Sequence, residues 1–123
     1  MAKKILIIDD EPDFIKVAVA RLEMEGYSVV QAADGLSGLD MMQTEKPDMV
    51  ILDVMLPGIN GYEVCHRAKL SEAIRDIPIV IFTASVEALP ASKTAQEIGV
   101  SGFILKPYKV KELLQEVKRI LNE

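Results

Sequence analysis

The pattern that decides the fold stands in residues 49–61, MVILDVMLPGING. Four apolar residues, Met49–Leu52, run without interruption and stop at the acid Asp53. A strand that is apolar at every position is typical of a parallel sheet covered on both faces. The Pro and Gly that follow indicate a loop, and Asn60 suits the cap of a helix. The segment therefore predicts a buried strand, an acid at its carboxyl end, a loop and then a helix.

The same unit recurs along the whole chain. The predicted strands are Lys4–Ile8, Tyr27–Ala32, Met49–Leu52, Pro78–Phe82 and Gly102–Leu105. Each is followed by a predicted helix: these begin near Pro12, near Gly35, after the loop Pro57–Gly61, near Pro90 and near Val110. Five alternating units predict an α/β fold, a doubly wound five-stranded parallel sheet with helices on both faces. No linker interrupts them, so we expect a single domain over residues 1–123.

Apolar side chains recur at helical spacing within the predicted helices. In the first three helices these residues are Phe14, Val17, Ala18, Leu22, Leu36, Leu39, Met42, Val64, Cys65 and Ala68. The last helix carries a clear amphipathic stripe from Val110 to Leu121, whereas the signal from Pro90 to Ile98 is weak. We expect these stripes to face the core.

Charge and composition exclude several classes of protein. The net charge of −5 argues against a surface that binds nucleic acid or an anionic membrane directly. No apolar run is long enough to cross a bilayer or to act as a secretory signal, which favours a cytoplasmic protein. Cys65 is the only cysteine and His66 the only histidine, too few for a structural zinc site. We expect Cys65 to be a small buried side chain and His66 an exposed one.

Chemically distinctive side chains stand at the ends of the predicted strands. Asp9 and Asp10 follow the first strand, and Asp53, Thr83 and Lys106 close the third, fourth and fifth. Parallel strands gather such residues at one edge of the sheet. Three carboxylates there repel one another unless they share a cation, and oxygen ligands favour Mg²⁺. A lysine and a hydroxyl opposite them suit a phosphoryl group, which predicts phosphoryl transfer onto Asp53.

Plainer roles for some of these residues remain open at the sequence level. Asp9 or Asp10 could cap the first helix as well as bind a cation. Gly58 and Gly61 are interpreted as serving loop geometry, because no glycine-rich nucleotide motif occurs.

Four motifs together resemble the receiver domains of bacterial response regulators. They are Asp9-Asp10-Glu11, ILDVMLPGING at 51–61, FTAS at 82–85 and KPY at 106–108. The resemblance extends over nearly the whole chain and implies a flavodoxin-like (βα)5 receiver fold with strand order 2-1-3-4-5. It also implies a phosphoprotein of a two-component or phosphorelay system.

The resemblance implies a role for each site residue. Asp53 would accept the phosphoryl group, and Asp10, Asp53 and the backbone carbonyl of Met55 would bind Mg²⁺. Asp9 would act through a metal-bound water. Thr83 and Lys106 would bind the acyl phosphate, and Thr83 with Phe103 would form the switch.

The resemblance further implies a histidine kinase or a histidine phosphotransfer protein as phosphodonor. The switched surface would be the fourth helix, fifth strand and fifth helix, where a protein target or a second copy docks. We expect a signalling phosphoacceptor and not an enzyme acting on other substrates. A phosphatase of the haloacid dehalogenase type would need an acid where Met55 stands, and a degenerate scaffold would lack an acid or the lysine. The output is either that of a stand-alone receiver or that of the N-terminal part of a longer regulator.

Overall fold

The computed structural model describes residues 2–83, 99–105 and 109–123. Its strands are β1 (Lys4–Ile8), β2 (Ser28–Ala32), β3 (Met49–Leu52), β4 (Ile79–Thr83) and β5 (Gly102–Leu105). Its helices are α1 (Pro12–Met24), α2 (Gly35–Glu45), α3 (Gly61–Lys69) and α4 (Val110–Leu121). The helix predicted at 90–98 lies outside the described residues, so α4 is the fifth helix of the sequence prediction.

All strand pairs are parallel, and the order across the sheet is β2-β1-β3-β4-β5. This confirms the doubly wound sheet and the strand order 2-1-3-4-5. β1 and β3 lie inside the sheet, and Ile8 pairs with Leu52 at the carboxyl end. The residues that follow, Asp9 and Asp53, are therefore adjacent, and the Asp53 amide donates to the Ile8 carbonyl at 3.0 Å.

The two faces of the sheet carry separate apolar clusters. Side chains alternate between the faces of a strand, so Ile5 and Ile7 of β1 pack towards α1 and α4. Leu6 and Ile8 pack on the opposite face with residues of α2 and α3. Every residue of β3 is buried, as the apolar run predicts. Packed layers on both faces therefore support the carboxyl edge of the sheet.

Some residues of the predicted stripes face solvent. In α1, Phe14, Ala18 and Leu22 are buried, but Val17 is 54% exposed. Leu36 in the first turn of α2 is 55% exposed. Their assignment to the core was wrong, because apolar spacing does not fix how a helix is rotated about its axis. In α3 the prediction is confirmed: Val64, Cys65 and Ala68 are buried and His66 is exposed.

Asn60 caps α3 as expected, its Oδ1 accepting from the Glu63 amide at 3.0 Å. Asp34 caps α2 in the same way, accepting from the Ser37 amide at 2.8 Å. Among the described helices, none is both long and apolar enough to cross a membrane.

Candidate functional site

Three carboxylates meet at the carboxyl edge of the sheet. One oxygen from each of Asp9, Asp10 and Asp53 lies within 4.8 Å of the others. Asp9 and Asp53 are only 1% and 7% exposed, whereas Asp10 faces solvent. Burying acids is costly unless they are hydrogen-bonded or share a cation. The cluster combines a buried floor with one accessible carboxylate.

Backbone amides hold the two buried carboxylates. Asp9 Oδ1 accepts from the Glu11 amide at 2.9 Å. Asp53 Oδ1 accepts from the Met55 amide at 3.2 Å. These bonds orient each carboxylate from its own loop, so the geometry of the cluster depends on how the loops after β1 and β3 are folded.

Neither Asp9 nor Asp10, for which a helix-cap role was left open, is the cap residue of α1. The cap residue of α1 is Glu11, and its side chain makes no cap hydrogen bond. The Asp9 bond to Glu11 lies before the helix. Both acids belong to the carboxylate cluster rather than to the helix end.

The donor set fits a hard divalent cation. Three carboxylates with oxygens within 4.8 Å of one another, and no thiol or imidazole among them, match the type of ligand that Mg²⁺ takes in proteins. Met55 lies in the loop directly after Asp53, with its side chain 63% exposed. The arrangement is chemically suited to bind a divalent cation.

The remaining predicted residues are only partly described. Thr83 ends β4 and pairs with Leu105 in the strand register, but its side chain lies outside the described part of the chain. Lys106 lies outside it altogether. Phe103 is partly buried on β5 and packs against the cluster on the α2 and α3 face.

The site opens beside a groove between α1 and the edge strand β2. Asp9 and Asp10 line one end of this groove, and Ile15 and Val19 supply apolar surface farther along it. A partner that reaches Asp10 can therefore contact apolar side chains next to the carboxylates.

The prediction that Gly61 serves loop geometry was wrong. Gly58 does serve loop geometry, since its φ is 79°. Gly61 is instead the first residue of α3 and lies directly against the backbone of Asp53 and Val54. The sequence did indicate this position, because the residue after the cap residue Asn60 is the first residue of the helix.

Comparison with known proteins gives a consistent result. A family model for the response regulator receiver domain matches residues 5–118. The alkaline phosphatase synthesis transcriptional regulatory protein PhoP of Bacillus subtilis is 38% identical over 122 residues, covering 99% of this chain and 50% of PhoP. The DNA-binding dual master transcriptional regulator RpaA of Synechocystis sp. is 36% identical over 119 residues, covering 97% and 49%. The chain thus spans about half the length of these curated relatives.

Solved structures share the architecture. The chemotaxis response regulator CheY4 of Vibrio cholerae matches with a TM-score of 0.88 and 28% identity over 98% of this chain and 100% of that one. The receiver domain of the sensor histidine kinase PA1611 from Pseudomonas aeruginosa PAO1 matches with a TM-score of 0.87 and 27% identity over 100% of both chains. That structure has a magnesium ion coordinated in its active site cleft.

Proposed function

Because the chain belongs to the response regulator receiver domain family, we propose that its Asp53 accepts a phosphoryl group from a histidine kinase or a histidine phosphotransfer protein. The observation that carries the proposal is the meeting of the Asp9, Asp10 and Asp53 carboxylates at the edge of the sheet. Asp53 comes directly after the central strand β3, next to the accessible Asp10. A phosphodonor can therefore approach it from solvent.

The transfer exchanges one bond to phosphorus for another. A carboxylate oxygen of Asp53 attacks the phosphorus of phosphohistidine, the P–O bond forms and the P–N bond breaks. The electron pair of the broken bond stays on the imidazole nitrogen, which then takes up a proton. The product is an acyl phosphate on Asp53, and the chain acts as a signalling phosphoacceptor.

In this proposal Asp10, Asp53 and the Met55 carbonyl hold Mg²⁺, and Asp9 contributes through a water. A cation held by these groups would supply positive charge to neutralise the phosphoryl oxygens. Thr83 and Lys106 bind the remaining oxygens of the acyl phosphate. The Glu11 and Met55 amides keep the two buried carboxylates in position throughout.

The test is phosphate incorporation measured by intact mass. The protein is incubated with acetyl phosphate and Mg²⁺, and we expect the mass of one added phosphoryl group. Incorporation should be lost in Asp53→Asn and after chelation of Mg²⁺. Asp40→Asn is the matched control, because Asp40 is an exposed acid on α2 outside the cluster and should leave incorporation unchanged. Incorporation into Asp53→Asn would contradict the assignment.

The output of the proposed switch depends on partners or domains outside the phosphorylation site. The relatives are named transcriptional regulators, and one of them is named DNA-binding. The expectation of no nucleic-acid partner is therefore not supported for a longer protein that contains this chain. We retain the expectation of no direct nucleic-acid partner only for these 123 residues, which we propose form one receiver domain. This domain would signal to a protein target, to a second copy of the chain or to an attached effector domain.

A further inference from the structure

Gly61 lies in close contact with the backbone that carries Asp53. A Cβ atom added at Gly61 would stand 2.6 Å from the Asp53 carbonyl oxygen and 2.8 Å from the Val54 Cα. Real Cβ atoms essentially never come that close to another atom, and backbone cannot rotate away as the end of a side chain can. Glycine is required here by the closeness of the packing, since Gly61 is in ordinary helical conformation within α3.

Hydrogen bonds join the same glycine to the loop after Asp53. The Gly61 amide donates to the Val54 carbonyl at 2.9 Å, and the Leu56 amide donates to that carbonyl at 3.0 Å. The Met55 amide donates to Asp53 Oδ1 at 3.2 Å. Residues 53–56 therefore form a tight turn that rests on the first turn of α3.

We propose that Gly61 is a positioning residue for the phosphoacceptor. Its missing side chain lets α3 approach the peptide of Asp53 and hold the turn that presents both the Asp53 carboxylate and the Met55 carbonyl. The proposal rests on the proposed function, because it assigns Gly61 a role in placing the groups that meet the cation and the phosphoryl group.

The direct test is Gly61→Ala. The contact must open by roughly 0.8 Å to reach an ordinary van der Waals distance, and a displacement of about 1 Å at a reacting group costs on the order of 100-fold in rate. We expect phosphate incorporation from acetyl phosphate to slow by about 10- to 100-fold. The Mg²⁺ concentration giving half of the maximal rate should rise as well, which a purely structural role would not produce in folded protein.

Gly102→Ala is the matched control. Its added Cβ would come equally close, 2.6 Å from Glu116 Oε1 and 2.9 Å from Arg119 Nη2, but these atoms are the far ends of flexible side chains that can move aside. We expect its rate and Mg²⁺ dependence to stay within about twofold of wild type, since the turn at Asp53 is untouched.

A second pair of variants covers the case in which Gly61→Ala does not fold. Asn60→Ala and Asp34→Ala each remove one side-chain cap from a helix, so both should weaken folding to a similar extent. Only Asn60→Ala loosens the turn of α3 that contacts Asp53. We expect it to raise the half-maximal Mg²⁺ concentration several-fold while Asp34→Ala does not.

The outcomes separate this inference from the proposed function. No incorporation into the wild-type protein would contradict the proposed function itself. Normal incorporation into wild type together with an unchanged rate and Mg²⁺ dependence in Gly61→Ala would overturn the positioning role alone. An equal response of Asn60→Ala and Asp34→Ala would overturn it in the same way.

Discussion

At the scale of single residues, Tyr27 joins two distant parts of the chain. It is 8% exposed, and its hydroxyl donates to Glu123 Oε1 at 2.7 Å. Burial, and then the hydrogen bond to this carboxylate, raise the pKa of Tyr27 from 10.0 to about 12. The bond lies at the end of the molecule opposite the carboxylate cluster, so it should affect stability and not phosphorylation.

The raised pKa predicts a loss of stability in base. An unfolded Tyr27 releases its proton near pH 10, whereas the folded one keeps it until about pH 12. Tyr27 therefore stabilises the fold fully below pH 10, and this contribution is lost as the pH rises from 10 to 12. Urea unfolding at pH 8 and pH 11 measures it. In Tyr27→Phe the drop between these two pH values should be smaller, and an equal drop would contradict the prediction.

At the scale of elements, α4 shows how one helix closes a face of the sheet. Its buried residues are Leu113, Leu114, Val117 and Leu121. They pack into the cluster beneath β1 and β3 with the aromatic pair Phe14 and Phe82, whose ring centroids are 4.5 Å apart. The opposite face of α4 carries charged and polar side chains. Burial of this stripe, rather than helix propensity, should supply most of its stabilisation.

Truncating one side chain of the apolar stripe of α4 should cause a large loss of stability. Leu113 is fully buried, so Leu113→Ala removes apolar contacts and leaves a cavity. We expect the free energy of unfolding to fall by about 2–5 kcal/mol, measured by urea denaturation. Gln115→Ala, on the exposed face of the same helix, should change it by less than about 0.5 kcal/mol. Similar losses in the two variants would show that α4 does not depend on this face.

At the scale of the whole molecule, the proposed switch couples Asp53 to the surface of β5. Phosphorylation would place charged oxygens between Thr83 and Lys106, with about 1.5–3 kcal/mol available from each charge-assisted hydrogen bond. Two such bonds supply about 3–6 kcal/mol, against about 5.5 kcal/mol needed to convert a mostly inactive population into a mostly active one. The supply is just sufficient, so the loss of either partner should matter.

Thr83→Ala is therefore expected to accept phosphate but to lose most of the conformational response. The response is followed by the amide chemical shifts of Phe103 and its neighbours on addition of beryllofluoride, which mimics the phosphoryl group. Thr44→Ala, which removes an exposed hydroxyl on α2, should respond as wild type does. Unchanged shifts at Phe103 between Thr83→Ala and wild type in the bound state would disprove the coupling.

The succession of strands and helices can be predicted from the amino-acid pattern alone. Uninterrupted apolar runs such as Met49–Leu52 mark buried parallel strands, and the bounds of β3 and β5 agree with the prediction. The positions of the three acids directly after predicted strands also indicated that they meet at one edge of the sheet, because parallel strands bring their carboxyl ends together. These features follow from local patterns, so they are readable without the fold.

Tertiary packing sets which side of each helix faces the core and how closely helices and strands approach one another. Val17 belongs to an apolar stripe by its spacing and yet faces solvent, because the rotation of α1 is set by what packs beneath it. Gly61 follows a cap residue as many residues do, but its contact with the Asp53 carbonyl depends on the seating of α3 against β3. Such distances are set by the packing of one element against another, and no local pattern of residues encodes them.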